Sequence, residues 1–89
     1  MASRAVTICN PLGLHARAAA RFVQLASRFS SRVSVERAGR TVDGKSILGV
    51  LLLAAASGTT ITIMAEGDDA QVALDELTAL VAAGFGELP

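Results

Sequence analysis

Residues 10–17 read Asn10-Pro11-Leu12-Gly13-Leu14-His15-Ala16-Arg17, and a Pro/Gly loop turns there into an Ala-rich helix. Before this stretch, residues 4–9 alternate well enough for a β-strand, and the loop breaks that strand. After it, Ala18, Phe22, Leu25 and Phe29 repeat at helical spacing. This repeat predicts a helix over 16–29 whose buried stripe consists of those four residues. The stretch therefore joins a strand to a helix, with His15 at the helix start.

The rest of the chain continues this alternation of strands and helices. The pattern predicts a strand at 32–37, a turn at Ala38-Gly39 and a return strand at 40–42. A helix at 47–54, capped by Ser46, and a strand at 59–66 follow. The last helix begins after Gly67-Asp68-Asp69 and has Gly84 at its C′ position. The order is βαββαβα. It predicts an α+β fold, a two-layer open-faced β-sandwich with a four-stranded antiparallel sheet and three helices on one face.

Composition excludes several classes of protein. The 89 residues carry no net charge, which argues against a general binder of nucleic acid or of a membrane surface. The longest apolar stretch, 47–56, is too short to cross a bilayer, and no signal peptide is evident. Cys9 is the sole cysteine, so no disulfide can form within the chain and a cytoplasmic location is expected. We expect Cys9 to be a buried strand residue. No motif for a metal site or a nucleotide-binding loop is present, so we expect no cofactor.

The charges are unevenly distributed along the chain. Residues 1–45 hold all eight basic side chains and two acids, whereas residues 46–89 hold six acids and no base. If the fold keeps these halves on different surfaces, a basic face could meet an acidic partner in a salt-sensitive way. Arg17, Arg21 and Arg28 follow one another at helical spacing. We expect Arg17 and Arg21 to contact a partner and Arg28 to be an ordinary solvated residue.

His15 is the only histidine and the best candidate for chemistry. A helix start offers unpaired backbone amides and the positive end of a dipole, which together favour an anion. The dipole and Arg17 oppose a proton on the ring, so a neutral, nucleophilic imidazole is expected. A phosphate carried on Nδ1, the nitrogen nearer the backbone, could reach those amides. The alternative is that His15 merely caps the helix.

Ser46 and the two residues after it suggest a second site. A hydroxyl at a helix N-terminus is a favourable place to add a phosphate. On chemistry alone, a plain N-cap that needs no further function is the preferred explanation of Ser46. Ile47 and Leu48 begin a short helix that is apolar nearly all round, so they could form an exposed docking patch or pack into the core.

In these residues the chain resembles the histidine-containing phosphocarrier protein (HPr) family of the bacterial phosphoenolpyruvate-dependent phosphotransferase system. The resemblance lies in residues 13–17 (Gly-Leu-His-Ala-Arg), 44–50 (Gly-Lys-Ser-Ile-Leu-Gly-Val) and 65–67 (Ala-Glu-Gly), and it covers nearly the whole chain. It implies a single HPr-like phosphocarrier domain over 1–89 with the same open-faced sandwich.

The resemblance also implies a function. His15 would accept a phosphoryl group on Nδ1 from Enzyme I, which is itself phosphorylated by phosphoenolpyruvate. It would then pass the group to a IIA domain for sugar uptake or regulation, and Arg17 would assist the transfer. The protein would be a stoichiometric intermediate, not an enzyme, and a monomer. Ser46 matches a serine that a dedicated HPr kinase/phosphorylase modifies in many members. The alternative function is a regulatory protein-binding module, with Arg21, Ile47 and Leu48 as contacts and Ser46 as the switch.

Overall fold

The computed structural model describes residues 1–87, which form four strands, three α-helices and a short 3-10 turn. The elements are β1 (Ala2–Thr7), α1 (Ala16–Ala26), β2 (Arg32–Arg37), β3 (Arg40–Asp43), α2 (Ile47–Leu52), β4 (Thr60–Glu66), α3 (Ala70–Ala82) and the 3-10 turn Gly84–Gly86. Their order is the predicted one, with the 3-10 turn added at the end.

The strands make one antiparallel sheet in the order β1-β4-β2-β3. Along β4, Ile61, Ile63 and Ala65 are buried, and the residues between them are more exposed. This alternation is that of a sheet with one face on a core and one face toward water. α3 packs on β1 and β4, and α1 packs beside both other helices. The predicted open-faced sandwich with three helices is confirmed.

The core lies between the sheet and the helices and consists mostly of aliphatic side chains. Its largest fully buried members include Phe22, Ile61, Ile63, Leu77 and Phe85. α1 contributes Ala18, Ala19, Phe22 and Ala26, which are all buried. The prediction was wrong for Leu25 and Phe29, which are only partly buried. Phe29 lies beyond the helix, which ends at Ala26, and the backbone N–H groups of Arg28 and Phe29 bond three residues back, so the chain there no longer follows the α-helical spacing.

The bounds of β1 and α2 also differ from the prediction, each by two residues, and those of β3 and β4 by one residue. β1 spans Ala2–Thr7 and not residues 4–9, so Cys9 lies beyond the strand and is exposed. The expectation that Cys9 is a buried strand residue was therefore wrong. α2 ends at Leu52, two residues earlier than predicted. Gly84 follows the C-cap of α3 with φ +64°, as the C′ prediction required.

No helix within residues 1–87 is long and apolar enough to cross a membrane.

Candidate functional site

A tight turn between β1 and α1 places His15 at the start of the helix. The backbone N–H of Gly13 donates to the carbonyl of Asn10 at 3.0 Å, and that of Leu14 donates to Ala55 at 2.9 Å. Gly13 has φ +67°, a conformation that glycine adopts without strain. A Cβ at this position would lie 2.7 Å from the Ala55 carbonyl oxygen. The turn is thus tied to the loop after α2, and its geometry depends on glycine.

His15 is the N-cap residue of α1, at the helix start where the sequence placed it. Its backbone is extended, with φ −81° and ψ 179°, and its carbonyl accepts the first helical hydrogen bond, from Ala19 at 2.8 Å. Its Nδ1 accepts from the backbone N–H of Arg17 at 3.2 Å. The side chain is 27 % exposed. The ring therefore caps the helix through Nδ1 and still has access to solvent.

The other ring nitrogen of His15 contacts the carboxylate of Glu87, whose Oε2 lies within hydrogen-bond distance of Nε2. A nitrogen that accepts an N–H cannot itself carry a proton, so Nδ1 holds a lone pair. The proton of the neutral ring is then on Nε2, where it is donated to Glu87. The two contacts together specify which nitrogen is nucleophilic.

Glu87 is held in this place by several groups. Burial raises the pKa of its carboxyl, but hydrogen bonds from Asn10 and His15 and the electrostatic attraction of His15 and Arg21 outweigh that effect. The pKa of Glu87 consequently lies below its ordinary value. Glu87 is therefore a carboxylate at neutral pH, with an acceptor oxygen toward the imidazole.

Asn10 lies beneath the site and is almost completely buried, with 2 % of its surface exposed. Its Nδ2 donates to the carbonyl of Gly13 at 2.8 Å and to Oε1 of Glu87 at 3.0 Å. One side chain thus connects the turn before His15 to the carboxylate that contacts His15.

An open depression of about 630 Å³ surrounds His15. It is lined by Pro11, Leu12, His15, Arg17, Arg21, Gly86 and Glu87. Arg21 donates from Nη1 to the carbonyl of Phe85 and so anchors the C-terminal segment against α1. Leu12 is 73 % exposed. The depression combines an imidazole, two guanidinium groups, the carboxylate of Glu87 and an exposed aliphatic side chain. Its two guanidinium groups suit it to an anionic group carried by a protein partner.

Ser46, Ile47 and Leu48 lie at the start of α2 and are not among the residues that line this depression. Ser46 is the N-cap, as predicted, and its Oγ accepts from the backbone N–H of Gly49 at 3.0 Å. Ile47 and Leu48 are 44 % and 69 % exposed, so they form an apolar patch at the surface and not a part of the core.

Sequence reasoning missed three residues of the site. Asn10 was interpreted only as part of a strand-breaking loop, and Leu12 only as a loop residue. Glu87 was counted only as an acid of the second half. The contact between Glu87 and His15 spans 72 positions of sequence. No local pattern marks such a contact, although a carboxylate after the end of the last helix could have been tested as a partner of the only histidine.

The family model described as "PTS HPr component phosphorylation site" matches residues 2–83 of the chain. The chain belongs to the PTS HPr family.

Its relatives within that family are similar over almost their whole length. The phosphocarrier protein HPr of Cupriavidus necator is 54 % identical over 87 residues, which cover 98 % of both chains. The phosphocarrier protein NPr of Shewanella violacea is 46 % identical over 84 residues, which cover 94 % of this chain and 92 % of the relative. The crystal structure of HPr-C-His from Thermoanaerobacter tengcongensis superposes with a TM-score of 0.96 at 43 % identity and covers all of both chains.

Family membership gives the site its chemical context. The chain is a member of the HPr/NPr phosphocarrier family of the phosphotransferase system, whose family model describes a phosphorylation site. The geometry is consistent with that chemistry, because a solvent-accessible imidazole lies at a helix N-terminus beside Arg17. The helix N-terminus and the guanidinium group of Arg17 both favour the negative charge of a phosphoryl group.

Proposed function

We propose that this protein is a phosphocarrier that accepts a phosphoryl group on Nδ1 of His15 and passes it on. The observation that carries this proposal is that the only histidine of a chain in this phosphocarrier family caps helix α1 through Nδ1. A phosphate on that nitrogen would be near the N-terminal amides of the helix, which favour an anion. The protein would be a stoichiometric intermediate and not an enzyme, because its own histidine is modified in each cycle.

The donor we propose is Enzyme I charged by phosphoenolpyruvate, and the acceptor is a IIA domain. The lone pair of Nδ1 attacks phosphorus, an N–P bond forms, and the bond between phosphorus and the donor breaks with its electron pair left on the donor. Arg17, the second residue of α1, lines the same depression and would offset the negative charge of the transferred group. The reverse step delivers the group to the acceptor.

The surface we propose for both partners surrounds His15 and extends to α2. Leu12 and Arg21 line the depression itself, and Ile47 and Leu48 present exposed aliphatic surface at the start of α2. Exposed apolar side chains next to charged ones are typical of transient protein interfaces. We expect the protein to act as a monomer in the cytoplasm.

Incubation with Enzyme I and phosphoenolpyruvate, followed by mass spectrometry and phosphorus NMR, tests the proposal. We expect the mass to rise by one acid-labile phosphoryl group and the NMR signal to be that of Nδ1-phosphohistidine. His15→Ala should gain nothing, whereas Arg28→Ala, which removes an exposed arginine outside the depression, should be phosphorylated. A phosphate on Nε2, or no phosphate on the unmodified protein, would contradict the proposal.

A second candidate function is a regulatory switch at Ser46. Its hydroxyl lies at the N-terminus of α2 and is partly exposed, directly before the apolar patch Ile47-Leu48. A phosphate on Oγ would add negative charge beside that patch and change the partners it accepts. This function requires an HPr kinase/phosphorylase and can exist alongside phosphoryl transfer by His15.

The test for this switch is incubation with ATP and such a kinase. We expect an acid-stable phosphate that is absent from Ser46→Ala and present in the control Ser57→Ala, which alters an exposed serine after α2. An acid-stable phosphate that persists in Ser46→Ala, or no acid-stable phosphate on the unmodified protein, would refute the assignment.

A further inference from the structure

A continuous chain of hydrogen bonds runs from a buried side chain to the imidazole. Nδ2 of Asn10 donates to Oε1 of Glu87 at 3.0 Å, and the other carboxylate oxygen, Oε2, is paired with Nε2 of His15. Each oxygen of the carboxylate thus has a different partner. The orientation of Glu87 relative to the ring is fixed by Asn10, because a carboxylate held at one oxygen has little freedom at the other.

Asn10 occupies its buried position at a cost in stability. Its Oδ1 is buried and has no hydrogen-bond partner among residues 1–87. A buried acceptor without a partner destabilises a protein. The second donor contact of Asn10, to the carbonyl of Gly13 at 2.8 Å, lies in the turn that leads to His15. Both of its bonds therefore serve the placement of the histidine.

We propose that Asn10 is a positioning residue for phosphoryl transfer, which acts by orienting the carboxylate of Glu87 against Nε2 of His15. The proposal rests on the proposed function of His15 and names the groups that prepare its ring. Asn10 holds Glu87, Glu87 holds the proton on Nε2, and Nδ1 is left as the nucleophile.

The position of the Glu87 carboxylate also suits the positive charge that forms on the imidazole during transfer. When Nδ1 of a neutral ring forms the N–P bond, Nε2 keeps its proton and the ring becomes cationic. The electron pair of the breaking bond stays on the donor, so no proton has to leave the site. The carboxylate of Glu87 lies beside the nitrogen on which that positive charge is shared, and it stabilises the charge electrostatically.

The ring of the unphosphorylated protein provides the first test. Nitrogen-15 NMR of His15 reports which nitrogen carries the proton and how fast that proton exchanges with water. We expect the Nε2 proton to exchange at least about tenfold faster in Asn10→Ala and in Glu87→Gln, because the bond that protects it is loosened or lost. Glu87→Gln leaves the bond between Asn10 and Gly13 in place, and so it tests the contact between the carboxylate and Nε2 separately from the fold of the turn.

Two matched controls separate positioning from a merely structural role. Thr78→Val removes another buried polar atom without a partner among residues 1–87, on α3, and Glu76→Gln removes an exposed acid from the same helix. Both should keep the ring signals and the exchange rate of the unmodified protein. If Thr78→Val altered the ring signals or the exchange rate as Asn10→Ala does, the effect of Asn10 would be merely structural and the positioning role would be overturned.

The rate of phosphorylation by Enzyme I is the second measurement. We expect Asn10→Ala and Glu87→Gln to be phosphorylated about tenfold more slowly, the low end of what the loss of a histidine-orienting partner costs in metal sites. Unchanged exchange of the Nε2 proton in folded Asn10→Ala, or an unchanged rate of phosphorylation in that variant, would overturn the positioning role of Asn10, and unchanged exchange in Glu87→Gln would overturn the contact through which Asn10 is proposed to act. Failure of the unmodified protein to accept phosphate would instead refute the proposed function, since the ring signals are recorded without phosphate.

Discussion

At the scale of the residue, His15 uses the same nitrogen to cap the helix and to carry the proposed phosphate. Nδ1 accepts the backbone N–H of Arg17 at 3.2 Å, so its lone pair is engaged before transfer. When the lone pair attacks phosphorus, that N–H loses its acceptor, and an oxygen of the attached phosphoryl group can take its place. The backbone N–H of Arg17 thus exchanges a ring nitrogen for a charged phosphoryl oxygen as its acceptor, and the first turn of the helix keeps this hydrogen bond through the reaction.

Gly13 is the residue on which the geometry of this helix start depends most. It has φ +67°, and a Cβ there would lie 2.7 Å from the backbone oxygen of Ala55. Gly39 has a similar φ of +82°, but a Cβ at that residue would have no neighbouring atom within 4 Å. We expect Gly39→Ala to lower the free energy of unfolding by about 1 kcal/mol through backbone strain alone. Gly13→Ala should lower it by about 3 kcal/mol, since strain and steric overlap add.

Equilibrium unfolding in urea measures both losses. The two variants differ only in whether the new methyl group meets a neighbour, so equal losses would show that the loop after α2 does not restrain the turn. A larger loss for Gly13→Ala would establish that the turn and that loop are packed together in solution.

At the scale of the element, the start of α3 is hydrogen-bonded to the segment that precedes β2. Asp69 is the N-cap residue of α3 by position, but its side chain makes no capping bond. Its carboxylate accepts instead from the backbone N–H groups of Ser30 and Ser31, both at 2.9 Å, and from the hydroxyl of Ser31. The hydroxyl of Ser31 and the backbone N–H of Ser30 lower the pKa of Asp69 from 3.8 to about 2, against a smaller opposing effect of burial.

This shift predicts a loss of stability in acid. A carboxyl with a depressed pKa stabilises the folded state above its unfolded pKa, because the unfolded chain binds the proton more readily. The contribution of Asp69 is therefore complete above about pH 4 and is lost as the pH falls through its folded value of about 2. Asp69→Asn should be less stable at neutral pH and should lose less stability between these two pH values.

Thermal unfolding as a function of pH measures the effect, with Asp68→Asn as the control. Asp68 is an exposed neighbour of the same charge. If both variants showed the same dependence on pH as the unmodified protein, the hydrogen bonds of Asp69 with Ser30 and Ser31 would make no measurable contribution to stability.

The sequence predicted the elements well because their signals are local. The alternation at 60–66, the caps His15 and Ser46, and Gly84 after α3 each depend on a few neighbouring residues. Asp69 was correctly placed near a helix start, but its bonds to Ser30 and Ser31 depend on the approach of two distant segments. The same holds for Glu87, whose partners Asn10 and His15 belong to the other end of the chain. Contacts between distant segments leave no periodic pattern, and so the network behind His15 appeared only in the structure.

At the scale of the whole molecule, the basic and acidic halves of the sequence are only partly brought together by the fold. Among residues 1–87, the arginine–carboxylate ion pair within 4 Å is Arg4 with Asp75, at 2.9 Å, and the carboxylate of Glu87 contacts the imidazole of His15. Arg17, Arg21 and Arg28 therefore have no carboxylate at that distance within the described part of the chain. α1 contains no acidic residue, and α3 contains no basic one. The surface around His15 is left with an excess of positive charge.

This excess predicts that association with the proposed donor, Enzyme I, depends on salt. The Debye length falls from about 30 Å at 0.01 M to about 3 Å at 1 M ionic strength, so attraction between the basic surface and an acidic partner is largely screened at the upper end. We expect kcat/KM for phosphorylation to fall at least about tenfold over this range. Arg21→Gln should weaken the dependence, because Arg21 lines the depression around His15. Arg32→Gln, which removes the same charge from the open side of the sheet, should leave it unchanged. Equal salt dependence in all three proteins would show that the charge around His15 does not guide the encounter.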